Sequence, residues 1–196
     1  MITIIDSGGA NIASIQFALE RLGLIAELSN EADVIKKSSH IILPGVGSAG
    51  SVMKRLKDLA LIEVIRSLTQ PVLGICLGMQ ILFDFSEEGN IECLGLIPGK
   101  VLKIVTNDKK LIVPHMGWNI LDIIESKLIM KDVPHGSYAY FIHSYAAPVG
   151  KYTSVMACYG ENFSAVVQHN NFYGTQFHPE RSSVIGSIIL KNFLEL

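Results

Sequence analysis

Pro71-Val72-Leu73-Gly74-Ile75-Cys76-Leu77-Gly78 is the stretch on which the fold turns. Pro71 to Ile75 is a short apolar run that predicts a strand, and Leu77 to Phe85 predicts the helix after it. Gly74 and Gly78 flank Cys76 in a glycine-x-nucleophile-x-glycine pattern, the mark of a sharp turn in which a Cβ would collide with neighbouring backbone. Such a turn pushes one side chain out at the carboxyl end of a sheet, where ligands of open α/β folds bind. It also sets Cys76 at a helix N-terminus, where the macrodipole favours thiolate over thiol. The Leu77 amide then points where an oxyanion would develop. The plain alternative is a buried cysteine in a tight turn.

Before this segment, strand and helix alternate. Ile2 to Asp6 is an apolar run broken by Ser7-Gly8-Gly9-Ala10, and Asn11 can cap a helix whose apolar positions are Ile12, Ile15, Leu19 and Leu22. Gly23 ends that helix. Leu24 to Leu28 and Ile41 to Leu43 read as strands, followed by the turn Pro44-Gly45-Val46-Gly47 and by helical stretches through Met53, Leu56, Ile62 and Ile65. This alternation predicts an α/β fold with a mostly parallel central sheet covered by helices on both faces.

After Glu87 the character changes. Lys100 to Val105, Tyr138 to Tyr145, Ser154 to Tyr159 and Ala165 to Gln168 read as strands, and His169-Asn170-Asn171 joins the last of these to Phe172–Phe177 as a hairpin. Val184, Ile188 and Phe193 give the closing helix an apolar stripe. No repeat or linker interrupts the chain, so residues 1–196 read as a single domain with an antiparallel portion in its second half.

Composition narrows the function. Only 17% of the 196 residues are charged, which suits a sheet buried on both faces or a surface covered by a partner. A net charge of −2 gives no invitation to nucleic acid or an anionic membrane. No apolar run has membrane-spanning length, and the first residues lack the basic start of a signal peptide. Cys76, Cys93 and Cys158 are odd in number and lack metal-type spacing, so free thiols in a reducing, cytoplasmic compartment are expected, with no cofactor and no metal.

A thiolate nucleophile needs a proton carrier for its leaving group. Thr175-Gln176-Phe177-His178-Pro179-Glu180 supplies one, because side chains two apart in extended chain share a face and let Glu180 hold one nitrogen of His178. Alone, His-Pro-Glu could simply precede the helix that begins near Ser182. His40, His115, His135, His143 and His169 lack such a neighbour and read as ordinary surface or core histidines.

Gly74-Ile75-Cys76-Leu77-Gly78-Met79-Gln80 together with Gly174-Thr175-Gln176-Phe177-His178-Pro179-Glu180 resembles the triad-type, class I glutamine amidotransferases. Pro114-His115-Met116-Gly117-Trp118-Asn119 and Tyr140-Phe141-Ile142-His143-Ser144-Tyr145 resemble one branch of that family, the glutaminase subunits of imidazole glycerol phosphate synthase. The resemblance covers essentially the whole chain. It implies a flavodoxin-like fold in which Cys76 attacks the carboxamide of L-glutamine, His178 protonates the departing ammonia and Glu180 orients His178. It further implies an oxyanion site at Leu77 and the Val46-Gly47 turn. Gly45, Gln80, Ser144 and Tyr145 would contact the substrate. Asn11, Trp118 and Tyr140 would meet a separate (β/α)₈ cyclase subunit that consumes the ammonia for histidine biosynthesis. With glycine on both sides, Val46 is suited to hold two peptide orientations, an open and a closed oxyanion site.

Bland readings stand beside these. Trp118 could be core, although its Pro, His, Gly and Asn neighbours suit a loop. Gln80 could be an exposed helical glutamine, Tyr140 and Tyr145 could be strand aromatics facing a core, and Asn11 could be a helix cap alone. The turn Ser7–Asn11 and the segment Ser48-Ala49-Gly50 depart from the family's usual pattern near the presumed partner surface. Competing functions are a paralogous subunit that feeds amidation of a bacterial surface sugar, a non-catalytic regulatory subunit, and a stand-alone elbow-cysteine hydrolase.

Overall fold

The computed structural model describes residues 1–7, 12–45, 47–106, 108, 110–125 and 127–196. Asn11 and Val46 lie outside the described residues. The first half runs β1 (Ile2–Ile5), α1 (Ile12–Arg21), β2 (Ala26–Ser29), α2 (Ala32–Lys37), β3 (His40–Leu43), α3 (Ala49–Asp58), α4 (Ile62–Arg66), β4 (Val72–Ile75) and α5 (Leu77–Gln80). The second runs β5 (Phe83–Ser86), β6 (Ile91–Glu92), β7 (Ile97–Lys103), β8 (His115–Ile120), β9 (Asp122–Ile123), β10 (Tyr138–His143), β11 (Tyr145–Ala146), β12 (Thr153–Tyr159), β13 (Glu161–His169), β14 (Phe172–Thr175) and α6 (Ser183–Leu194).

Among the described residues the main sheet has the order β2-β1-β3-β4-β14-β13-β12-β9. Pairings from β2 across to β14 are parallel, and those from β14 out to β9 are antiparallel. The expected class is therefore observed: an α/β fold with a mostly parallel sheet and a late antiparallel extension. Successive side chains of the central strands enter opposite cores. Ile4, Ile42 and Leu73 join α1 and α6 residues on one face, while Ile5, Ile41, Leu43 and Val72 join α3 residues on the other. Burial on both faces is why these strands are continuously apolar and why charge is scarce. At the join between the halves, β4 and β14 run side by side in register from Val72 opposite Phe172 to Ile75 opposite Thr175. Both finish at the same carboxyl end of the sheet, which brings the two distant motifs together.

Several sequence expectations need correction. The helix expected over Leu77 to Phe85 is one turn, α5, and Phe83–Ser86 is a strand. The Ile81 carbonyl accepts from the Leu94 amide, and the Leu82 carbonyl from the Leu96 and Ile97 amides, so distant backbone captures the groups that would have continued the helix. Ile81, Leu82 and Phe83 are all buried, which leaves no amphipathic face to mark a helix. Leu24 to Leu28 and Lys100 to Val105 are displaced to β2 and β7, and the Tyr138 to Tyr145 run is interrupted at Ser144. Val184 is exposed, and α6 instead buries Gly186, Ile189, Leu190 and Phe193. Gly186 sets that face, since a Cβ there would overlap the Pro179 carbonyl. Trp118 lies on β8, paired antiparallel with β10, rather than in a loop.

Candidate active site

Cys76 follows β4 with φ 53° and ψ −109°, a left-handed conformation that is unusual for a residue bearing a Cβ. The turn is held at both ends: the Cys76 amide donates to the Thr175 carbonyl at 2.7 Å, and the Gln80 amide donates to the Cys76 carbonyl at 3.1 Å. Gly78 has to be glycine, because a Cβ would overlap the Leu43 carbonyl at the end of β3. Gly45 packs in the same way against Leu77 and Gly78. With α5 only one turn long, the macrodipole at Cys76 is weak, and the surroundings of the sulfur are set by the groups beside it.

Those groups come from β10 and from the segment after β14. The His178 amide donates to the Tyr140 carbonyl at 2.9 Å, the Tyr140 amide donates to Ser182 Oγ at 3.0 Å, and Ser182 Oγ donates to the His178 carbonyl at 2.7 Å. His178 is thereby locked to β10, with Nδ1 2.7 Å from Glu180 Oε1. The Glu180 side chain is fully buried, so the carboxylate is directed at the imidazole rather than at water. Burial alone would lower the His178 pKa. The hydrogen bonds and charges of Cys76 and Glu180 outweigh it and raise the value to about 10. The His-Pro-Glu run is therefore more than a lead into α6: it carries an oriented imidazole to the sulfur.

A cavity of about 210 Å³ opens beside Cys76, and Gly47, Leu77, Gln80, Ser144 and Tyr145 also line it. Gly45 lies behind it against Leu77. Gln80 is buried, not an exposed helical residue, and its Nε2 donates to the Tyr145 carbonyl at 2.7 Å and to Gln176 Oε1 at 3.0 Å. Trp118 is 53% exposed and meets the half-buried Tyr140 ring edge-on, with centroids 6.1 Å apart. Neither ring belongs to the core.

Three features escaped the sequence reading. Glu88 lines the cavity and accepts the Ala49 amide at 2.7 Å, which holds a carboxylate in the same cavity wall as Cys76. Gln176 lies within 3.7 Å of Cys76 Sγ; its position two residues before His178, on the same face of extended chain, was the available signal. His115 and His143 are buried and joined Nδ1 to Nε2 at 3.0 Å, which no local pattern in either strand announces.

A strained cysteine, an oriented imidazole beside it and an amide at the start of α5 make an arrangement for acyl transfer through a thioester. A profile of the family described as "Glutamine amidotransferase class-I" matches residues 3–196. This chain belongs to the class I glutamine amidotransferases. Within the family it is 50% identical to "Imidazole glycerol phosphate synthase subunit HisH" of Pasteurella multocida over 194 residues, 99% of this chain and 97% of that protein. It is 48% identical to "Imidazole glycerol phosphate synthase subunit HisH 2" of Legionella pneumophila over 196 residues, 100% of this chain and 98% of that protein. Among solved structures, one described as "Crystal structure of glutamine amidotransferase" superposes with a TM-score of 0.76 at 18% identity, covering 99% of this chain and 97% of that one. That likeness speaks to the amidotransferase fold alone.

Proposed function

We propose that this class I amidotransferase is the glutaminase subunit of an imidazole glycerol phosphate synthase, acting as a single domain over residues 1–196. The observation that carries the reading is the assembled constellation of Cys76, His178 and Glu180 in a chain alike along its length to subunits named HisH. Cys76 Sγ attacks the carboxamide carbon of L-glutamine, and the Leu77 amide, with the Val46-Gly47 turn, receives the negative oxygen. His178 gives its proton to the nitrogen, ammonia leaves and a thioester remains. Water, deprotonated by His178, then cleaves the thioester, releasing glutamate and restoring the sulfur. Ser144, Tyr145 and Gln80 hold the amino-acid end, and Glu88 offers a counter-charge to its ammonium group.

Ammonia passes to the (β/α)₈ cyclase subunit, docked on the outer face of the β8–β10 hairpin. Met116, Trp118 and Ile120 on β8 and Tyr138 and Ile142 on β10 expose apolar side chains there while their alternates face inward. A contiguous exposed apolar face is the signature of a protein contact. No helix among the described residues is long and apolar enough to cross a membrane, and the free thiols of Cys76, Cys93 and Cys158 support placement in the cytoplasm. The sugar-amidating alternative gains no support from relatives named HisH.

The test mixes the chain with a cyclase subunit and its ribotide, and follows glutamate release together with imidazole glycerol phosphate formation. Partner-stimulated turnover that disappears in Cys76→Ala, and a Trp118→Ala variant that binds the cyclase at least about thirtyfold more weakly, support the reading. Absence of turnover with the cyclase, or full turnover in Cys76→Ala, rejects it.

A further inference from the structure

The sulfur of Cys76 sits between two opposed polar groups. The Ile142 carbonyl oxygen lies 3.7 Å away and can only accept, so it favours the protonated thiol. The Gln176 amide nitrogen lies 3.7 Å away and can only donate, so it favours the thiolate. Which end of the Gln176 amide faces the sulfur therefore matters, and the surrounding hydrogen bonds admit one answer. Gln80 Nε2 is 2.7 Å from the Tyr145 carbonyl, which can only accept, so the nitrogen of Gln80 must point there. The second hydrogen of that nitrogen goes to Gln176 at 3.0 Å, which must present its oxygen and so turns its own nitrogen to Cys76. Reversing Gln80 would set acceptor against acceptor at the Tyr145 carbonyl, and reversing Gln176 would set donor against donor at Gln80, in a buried site.

The Tyr145 carbonyl is fixed from its other side as well. His143 Nδ1 lies 2.8 Å from it and must donate. His143 Nε2 then accepts from His115 Nδ1, and His115 Nε2 lies 3.4 Å from the Asn119 amide on the partner-facing hairpin. Two donors converge on one carbonyl oxygen and use both of its lone pairs.

We propose that Gln176 is a positioning residue for the nucleophile. Its side-chain amide donates to Cys76 Sγ and biases the sulfur toward thiolate, in an orientation enforced through Gln80 and the His143-bound Tyr145 carbonyl. The inference rests on Cys76 being the nucleophile. Removing the Gln176 donor leaves His178 alone to oppose the Ile142 carbonyl and moves the sulfur part of the way back toward the thiol. Among the described residues, His178 with Glu180 behind it, Glu88 and Tyr145 in the cavity wall, and neutral His143 also face this site, and the substitutions below leave all of them in place.

The experiment follows iodoacetamide alkylation of Cys76 against pH in the chain alone, without glutamine or cyclase. Alkylation is read at the Cys76-containing peptide by mass spectrometry, because Cys158 is exposed and reacts too. Gln176→Met keeps the length of the side chain without its donor, and its alkylation midpoint is expected to rise by about one pH unit, with roughly tenfold slower reaction near neutrality. Gln176→Glu keeps the shape and the bond from Gln80 but turns an oxygen to the sulfur, and its midpoint is expected to rise further. Thermal unfolding checks that each variant is folded; if the methionine variant is not, the glutamate variant carries the comparison. Slower alkylation with unchanged midpoints overturns the proposal, because a purely structural role would alter rates without moving the titration. A wild-type chain with no cyclase-stimulated glutaminase would instead defeat the functional reading, and the two failures are read in separate assays.

Discussion

His178 and His143 are both buried and close enough to feel each other's charge, yet their pKa values move in opposite directions. The His143 value falls to about 3, chiefly through burial, with the Tyr145 carbonyl pulling upward and His115 and His178 adding to the fall. His178 meets the same burial, but Cys76 and Glu180 supply partners for a positive ring and its value rises. The difference is the company each ring keeps. The segment Gln176–Glu180 carries a carboxylate at the spacing that reaches the ring, whereas Phe141–Tyr145 offers only neutral acceptors. A histidine becomes a proton carrier through a charged partner, and one without such a partner becomes a neutral, tautomer-fixed strut.

The contrast breaks most easily at the sulfur and at the charged ring. Cys76→Ala is expected to abolish cyclase-stimulated glutaminase, and His178→Ala to lower it by roughly 10²–10⁴-fold. His143→Ala, measured in the same assay, is expected to lose less than His178→Ala. Equal losses would erase the distinction between carrier and strut.

Glu180→Gln sharpens the same comparison with a smaller effect. An amide oxygen can still accept from His178 Nδ1, so the loss should fall short of that in His178→Ala. Losing the carboxylate also removes one of the groups that raise the His178 pKa. The alkaline limb of the rate, which follows loss of the imidazolium proton, should therefore move to lower pH. An alkaline limb that stays in place would mean that Glu180 does not tune the ring.

The smallest effect concerns stability in acid. His115, lowered by burial to about 4, and His143, lowered to about 3, are neutral in the fold and bind protons more readily once unfolded. Their contribution is present above the ordinary value near 6.5 and is lost as pH falls toward 4 and 3, by about 1.4 kcal/mol per pH unit for each ring. Denaturant unfolding between about pH 6.5 and pH 4 should show a slope reduced by one proton in His115→Gln. His178 has the opposite sign: its contribution is present in acid and is lost as pH rises toward about 10. His178→Ala should thus leave the acid slope as in the wild type. An acid slope that is unchanged in His115→Gln would show that this ring does not stay neutral in the fold.

Much of the site was legible in the sequence because its parts are local. The glycines around Cys76 announce a turn that only glycine permits, and His178 with Glu180 announces itself by a spacing of two in extended chain. The hairpin between β13 and β14 at Asn170-Asn171 was legible for the same reason, as a two-residue turn between strand-forming runs. The open or closed state expected of the Val46 peptide falls outside the described residues.

What was misread depends on distant partners. Ile81-Leu82-Phe83 suits a buried helix or a buried strand equally well, and the Leu94–Ile97 backbone decided for the strand. Pro114–Asn119 has the composition of a loop, and pairing with β10 made most of it a strand. By itself, then, the sequence singled out Cys76, His178 and Glu180 and predicted the parallel half of the sheet. Each of these follows from backbone sterics or from a period of two to four residues. Only the tertiary structure decided the direction in which each buried histidine titrates, the orientation of the Gln80 and Gln176 amides and the exposure of Trp118. Those depend on which donor, acceptor or charge a fold carries to within about 4 Å from far along the chain, and local spacing holds no record of that.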